Sequence, residues 1–436
     1  MNEVIKNRFC SFFDKESVRH CITVRPQAIG SLNNLHPAVG AEILADHLRQ
    51  IYLPNDFSME FIESMLGLAS LHFAKIFQSE VHNQSLIYTP PPAEVLPICL
   101  TGLAGVGKSS LINALRKVMP SPAEYYSQHF DGSITLVSYW YASAREKISG
   151  KSLLKEFLSD PPWSGNKKRF LDEARKRAFR DGVSLLLLDE TQFINTGLAT
   201  ASITDILLTL ASIGPPAVYV SNYSLVHKLF GRNSEDQQRL LAQPRVMVPD
   251  LPGGKDWTHY VEECIRVSNG VIRPGRGDFA GELYRCTFGV KRLAVHLLTQ
   301  AYMECRKDGR FCIELQDLTS AFGSTEFTSN AGEVEELHRY SLGTRQSGLR
   351  LDLKCPFDLP DIYKTNIGEF VKAGRDMRVI EKVFESSLTE AEMAANKHLK
   401  QASGEVIKRK PKRPAASPIT KEEQAEAFRS YFKSSR

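Results

Sequence analysis

This sequence of 436 residues predicts an α/β fold: a parallel sheet core with a small helical lid, a helical N-terminal region and a C-terminal extension. Three observations predict it. Apolar strand-like runs alternate with helical patterns between residues 93 and 255. The first run, VLPICL, leads into a glycine-rich stretch, TGLAGVGKSS, at 101–110. A later run, SLLLLDE, ends in two adjacent carboxylates, Asp189 and Glu190. Unbroken apolar runs suit parallel strands covered on both faces. A glycine-rich turn between strand and helix is how such sheets take hold of phosphate.

Composition agrees with a globular protein: 42% hydrophobic and 24% charged residues leave enough apolar side chains for a core and enough charge for a solvated surface. The net charge of +5 is mild, so it permits a nucleic-acid partner without demanding one. The eight cysteines are scattered with no CxxC pair, which argues against a zinc site and for free thiols in a reducing cytoplasm. No run has the length of a membrane span, and no membrane partner is expected.

The elements follow in order. Residues 1–92 read as helical, with apolar residues at helical spacing in HPAVGAEILADHLRQIYL and SMEFIESMLGLASLHFAKIF. YTPPPAE then breaks the chain, because prolines forbid helix continuation. Residues 93–255 form the sheet domain, with strand candidates VLPICL, SITLVSYWY, VSLLLLD and PAVYVSN, and a last core strand VMVPDL. Residues 256–327 read as a helical lid: WTHYVEECIRVS, GDFAGELYRCT, VKRLAVHLLTQAYMECRK and ELQDLTSAFG. In the extension, 328–436, order is expected to weaken beyond Thr328. FVKAGRDMRVIEKVFESS predicts one more helix, and KRKPKRPAASP predicts a solvated segment.

Gly102, Leu103, Ala104, Gly105, Val106, Gly107, Lys108 and Ser109 match GxxxxGK[ST] in full, and Ser110 continues into the helix. Glycines let backbone N–H groups close round a β-phosphate. Lys108 reaches the β- and γ-phosphates, and the Ser109 hydroxyl binds Mg²⁺. The expected cofactors are therefore ATP and Mg²⁺. Asp189, at the end of its strand, holds Mg²⁺ through water, and Glu190 polarises the attacking water. AVYVSN ends in Ser221 and Asn222; a polar side chain there either orients water near the γ-phosphate or caps a turn.

Two arginines after that strand, Arg239 and Arg245, are candidates to reach a neighbouring subunit's γ-phosphate. Arg245, just before VMVPDL, is the first choice and Arg239 the reserve; a surface salt bridge is the competing reading for each. In the lid, Arg292 within FGVKRLAVHLL either touches the nucleotide of its own chain or is a solvated helix residue. No [NT]KxD motif for reading guanine occurs. This order of motifs, ending in a helical bundle, is the layout of an AAA+ ATPase.

The segment NKKRFLDEARKRAFRDG precedes the carboxylate run SLLLLDE and concentrates positive charge: Lys167, Lys168, Arg169, Arg175 and Lys176 are its candidate DNA contacts. Lys147 and Lys151, in SAREKISGKS, join them. A solvated charged helix is the alternative.

TGLAGVGKSS, LLLLDETQFI, ASIGPPAVYVSN, LPGGKDWTHYVEECIR and FGVKRLAVHLLTQAYMECRKDGRFCIELQDL together resemble the TnsC/TniB family of bacterial transposition AAA+ ATPases, over residues 90 to 345. The resemblance implies self-association into a ring or helical filament on duplex DNA. It implies placement by a target-selection protein, recruitment of a transposase, and reset by ATP hydrolysis. Competing expectations are a loader or initiator-type DNA ATPase and a signalling or defence ATPase without DNA. No DDE set or catalytic triad suggests that the chain is itself the transposase.

Overall fold

A computed structural model describes residues 3–10, 14–126, 132–146, 167–191, 200–343 and 350–387. The chain enters through five helices, α1 (Glu3–Lys6), α2 (Lys15–Ile22), α3 (Pro37–Gln50), α4 (Asp56–Ile76) and α5 (Glu80–Tyr88). Their starts are legible in the sequence. Asp14, Asn55 and Ser79 cap α2, α4 and α5 by accepting first-turn N–H groups, and Pro37 opens α3 with its φ preset.

The sheet region contains β1 (Ile98–Gly102), α6 (Lys108–Val118), β2 (Ala123–Tyr126), β3 (Ser133–Leu136), β4 (Tyr139–Ser143), α7 (Lys167–Arg180), β5 (Leu185–Asp189), α8 (Thr200–Ala211), β6 (Ala217–Asn222), α9 (Tyr223–Phe230), α10 (Ser234–Leu240) and β7 (Gln243–Met247). Five strands pair in parallel in the order β4-β5-β6-β1-β7. The two-residue period of a strand sends alternate side chains to opposite faces. Leu185 and Leu187 pack with α6 and the N-terminal helices; Leu186 and Leu188 pack with α7, α8 and α9. Both faces are covered, which is why LLLL carries no polar residue.

Two strand expectations change. SITLVSYWY is two strands: β3 pairs antiparallel with β2 in a separate ribbon, and only β4 joins the main sheet. The chain bends between them, where the Val137 N–H bonds Asp181 O instead of a ladder partner. The last core strand is not VMVPDL but Gln243–Met247, so Arg245 lies inside the strand, opposite Leu100, rather than ahead of it. β7 is an edge strand, which tolerates Pro244. Pro249 has no N–H with which to prolong the ladder.

Beyond the sheet come α11 (Lys255–Val267), α12 (Phe279–Thr287), α13 (Lys291–Lys307), α14 (Leu315–Phe322), α15 (Thr328–Ser341) and α16 (Asp361–Ser387). Helical order does not weaken at Thr328 as expected. α15 packs on α12 and on α16, burying Val334, Leu337 and Phe327. The lid centres on Trp257, wholly buried, with its indole N–H donating to Ala280 O at 2.9 Å and its ring edge-on to Tyr284.

The N-terminal helices touch both bodies. α2 and α4 pack on α6, while α3 lies along α13. Gly40 makes the latter contact close, since a Cβ there would stand 2.6 Å from the Tyr302 hydroxyl. Arg306 of α13 donates to the carbonyls of Leu32 and Leu35 at 3.1 and 3.3 Å. Among the described residues, no helix is long and apolar enough to cross a membrane.

Candidate nucleotide site

β1 ends at Gly102, and the chain turns through Leu103–Gly107 into α6. The turn needs its glycines. A Cβ on Gly102 would collide with Met247 O of the neighbouring strand. Gly105 sits at φ +85, and a Cβ there would stand 2.7 Å from Arg292 Nε. Gly107, at φ +114, caps α6, whose first-turn N–H groups are left to face an anion.

Lys108 is buried and its Nζ donates to Gly102 O, Leu103 O and Asn222 Oδ1 at 2.9, 2.8 and 2.9 Å. Three acceptors match the three donors of an ammonium. Burial works the other way and lowers the Lys108 pKa to about 7, with Asp189 opposing and Arg292 adding to the fall.

Sheet order explains how Asn222 arrives. β6 lies between the P-loop strand β1 and the carboxylate strand β5, so its C-terminal residue is delivered between their ends. Gly102 pairs directly with Asn222. Asp189 ends β5, with one oxygen accepting the Glu190 N–H at 2.7 Å and the Ser109 hydroxyl as a further donor. Burial pushes the Asp189 carboxyl upward; those two hydrogen bonds and the charges of Lys108 and Arg116 pull against it. Ser109 and Asp189 thus already meet, as a shared Mg²⁺ requires. No cluster of three metal-binding side chains occurs among the described residues. Phosphate oxygens and water would complete the shell of a Mg²⁺ held here.

Glu190 has φ 54, a left-handed backbone that a glutamate adopts only when its surroundings impose it. Next to it, Thr191 donates to Val220 O at 2.6 Å and ties the end of β5 to β6. The Glu190 carboxylate accepts from Ser143 Oγ at 3.3 Å, and Arg145 Nη1 stands 3.9 Å away. Ser143 and Arg145 come from the end of β4, and sequence reasoning did not find their link to Glu190. No local pattern marks it; it follows from the pairing of β4 with β5, which sets Ser143 beside Asp189.

The lid reaches the site from above. The Arg292 N–H donates to Gly105 O at 3.2 Å, and its side chain lies over the P-loop. Lys291 also lines the cleft but is held by Asp250 at 3.2 Å and lies over the ring of Tyr260. The cleft between core and lid has a volume of about 1030 Å³. Its walls include Ala104–Ser110, Asp189, Glu190, Asn222 and Arg292, together with Ile51, Tyr52 and Leu53 from the segment joining α3 to α4. That last contribution was missed, because nothing local in IYLPN marks it as a cleft wall.

Neither Arg239 nor Arg245 lines the cleft. Arg239, at the end of α10, is held by Glu94 and Glu235 at 3.1 and 2.9 Å. Arg245 donates to Pro244 O at 3.2 Å.

α7 buries Phe170, Ala174 and Ala178 and exposes Lys168, Arg169 and Lys176. Arg175 is partly committed, its Nε donating to Ser212 O at 2.8 Å. Lys147 and Lys151 lie outside the described residues, as does the side chain of Lys167.

A phosphate-binding turn after an interior strand, paired carboxylates two strands away, a polar residue on the strand between them and a lid arginine over the turn define the class: the chain has an α/β AAA+ P-loop fold. No family profile matches it, and no curated protein is similar to it. Among solved structures it is similar to the Aeropyrum pernix ORC1 protein in complex with DNA (16% identity, 70% of this chain and 72% of that one, TM-score 0.41). It is also similar to Drosophila ORC bound to DNA (10% identity, 97% and 98% covered, TM-score 0.41). A third is the Thermotoga maritima RuvB Holliday junction branch migration motor (10%, 64% and 74%, TM-score 0.32). These scores are low, and the class rests on the sheet order and the site.

Proposed function

We propose that this protein is an ATP-hydrolysing AAA+ switch that assembles copies of itself on duplex DNA. The observation that carries the reading is Arg292 over Gly105. A lid arginine against the phosphate-binding turn makes lid position depend on what that turn holds. Lys108 and the α6 N-terminus bind phosphate, Ser109 and Asp189 hold Mg²⁺, and Glu190 takes a proton from water while Asn222 orients it. Arg239 or Arg245 acts on the nucleotide of the next subunit, which fits their absence from the walls of their own chain's cleft. The exposed basic residues of α7 follow DNA phosphates.

The finer reading is a regulator of transposition that couples a target-selection protein to a transposase. It is supported by the sequence resemblance to TnsC/TniB ATPases. An initiator- or loader-type DNA ATPase would use the same nucleotide site, and two of the solved structures above are of ORC proteins with DNA. Among the described residues, no strand follows β7, so the winged-helix hairpin common in such initiators is not found there.

The test is negative-stain imaging of the protein with duplex DNA and a non-hydrolysable ATP analogue, with Lys108→Ala alongside. Rings or filaments that need both ligands, and vanish in the variant, support the reading. Assembly indifferent to DNA would overturn it in favour of a signalling ATPase. Stimulation of strand transfer by a transposase then separates the transposition regulator from the loader.

A further inference from the structure

A second cavity of about 530 Å³ touches the P-loop at Leu103 and shares none of the residues that line the nucleotide cleft. Its walls include Leu103, Val248, Phe288, Leu337, Tyr363 and Ile367. Three of these belong to the switch: Leu103 is in the phosphate turn, Val248 follows β7, and Phe288 precedes the Gly289 that leads into α13. Phe288 holds a left-handed φ of 53 as the C-cap of α12, three residues before α13 begins. The C-terminal extension closes the other side through α15, residues 353–359 and α16. The lining is mainly apolar and aromatic, and apolar surface continues outward. Phe230, 40% exposed, packs edge-on to the lining residue Phe357, and Leu351 and Ile362 are 49% and 75% exposed. The Tyr363 hydroxyl is buried with no hydrogen-bond partner among the described residues. A buried unpaired hydroxyl costs free energy until an acceptor arrives.

We propose that this cavity is the docking site of the chain's own C-terminal segment, Lys421–Lys433, and that its occupancy biases the lid. The segment reads KEEQAEAFRSYFK, placing Phe428, Tyr431 and Phe432 three and four residues apart, the spacing of one helix face. Its flanks carry both charge signs, as does the cavity mouth with Glu336, Arg339, Lys354, Asp358 and Lys364. The tether reaches. α16 leaves the cavity wall at Ile367 and ends at Ser387, roughly 30 Å further on at helical rise. About 40 residues then lead to Phe428, and a random coil of that length spans on the order of 35 Å. A tethered segment at matched span has an effective concentration near the millimolar range, so modest affinity suffices to fill the cavity. Docking itself stands without the ATPase reading; its effect on the lid rests on that reading.

The test uses the full chain with Tyr431→Cys, the exposed Cys10 and Cys21 replaced by serine, and the cavity's own Cys355 retained. Diamide oxidises the two thiols to a disulfide, which peptide mass spectrometry identifies. The expected result is a link between Cys355 and the thiol introduced by Tyr431→Cys, formed at a rate independent of protein concentration. That rate should fall at least tenfold in Phe428→Ala/Phe432→Ala and in the cavity-filling variant Leu337→Trp, with folding of each checked by urea unfolding. No such link, a link unaffected by either variant, or one that forms only between two chains overturns the docking. With docking in place, Phe428→Ala/Phe432→Ala should shift the Kd for a fluorescent ATP analogue several-fold. An unchanged Kd overturns the coupling to the lid while leaving the docking, and neither readout requires hydrolysis.

Discussion

Lys108 offers the sharpest quantitative test, because two effects pull on it in opposite directions. Its three acceptors suit an ammonium, while burial lowers its pKa from 10.5 to about 7. If burial wins, the protein alone at pH 8 carries the proton on only about one Lys108 in ten. A bound triphosphate supplies negative charge and restores the ammonium. The pKa is depressed in the free protein and raised in the complex, so binding takes up a proton between pH 7 and 10.5. Affinity is then flat below pH 7 and falls about tenfold per pH unit above it. Uptake should be about 0.9 proton at pH 8 and about 0.1 at pH 6. Isothermal titration calorimetry in two buffers of different ionisation enthalpy measures it. Lys108→Arg keeps its charge at every pH and reports the nucleotide's own proton uptake, which is subtracted. A difference below about 0.2 proton at pH 8 would show that the three acceptors hold the charge and that the burial argument is wrong.

Other outcomes follow from the same geometry. Glu190→Gln should lower hydrolysis by about 10²- to 10⁴-fold while nucleotide binding, measured by titration, stays within about twofold. Arg292→Ala should weaken binding of ATP more than of ADP, by roughly tenfold, the usual scale of one charge-assisted contact; equal loss for both would place Arg292 away from the γ-phosphate. Gly40→Val should drive a side chain into Tyr302 and cost about 1–3 kcal/mol by urea unfolding. Lys168→Glu/Lys176→Glu should weaken DNA binding and flatten its dependence on log salt by about two; an unchanged slope would remove α7 from the DNA surface.

The phosphate turn and the carboxylate strand were legible because each is a local requirement, and so were the starts of a few helices. Glycines occur where φ turns positive, an apolar run occurs where both sheet faces are covered, and Asp14, Asn55 and Ser79 stand where first-turn N–H groups need acceptors. SITLVSYWY was not legible in the same way. Its alternation fits one strand or two, and the bend at Val137 comes from Asp181, more than forty residues away. The end of β7 was misjudged because apolar VMV continues the pattern while the ladder with β1 stops at Met247.

The sequence by itself determined that a nucleotide-binding turn and its carboxylates exist, since those depend on residues near one another in the chain. Only the tertiary structure decided what surrounds them. It brought Ile51–Leu53 into the cleft, set Ser143 and Arg145 against Glu190, and laid Arg292 over Gly105. Each of those contacts joins segments far apart in sequence. Which partners meet depends on strand order and on the packing of α3 against α13, and neither leaves a periodic mark in the residues themselves.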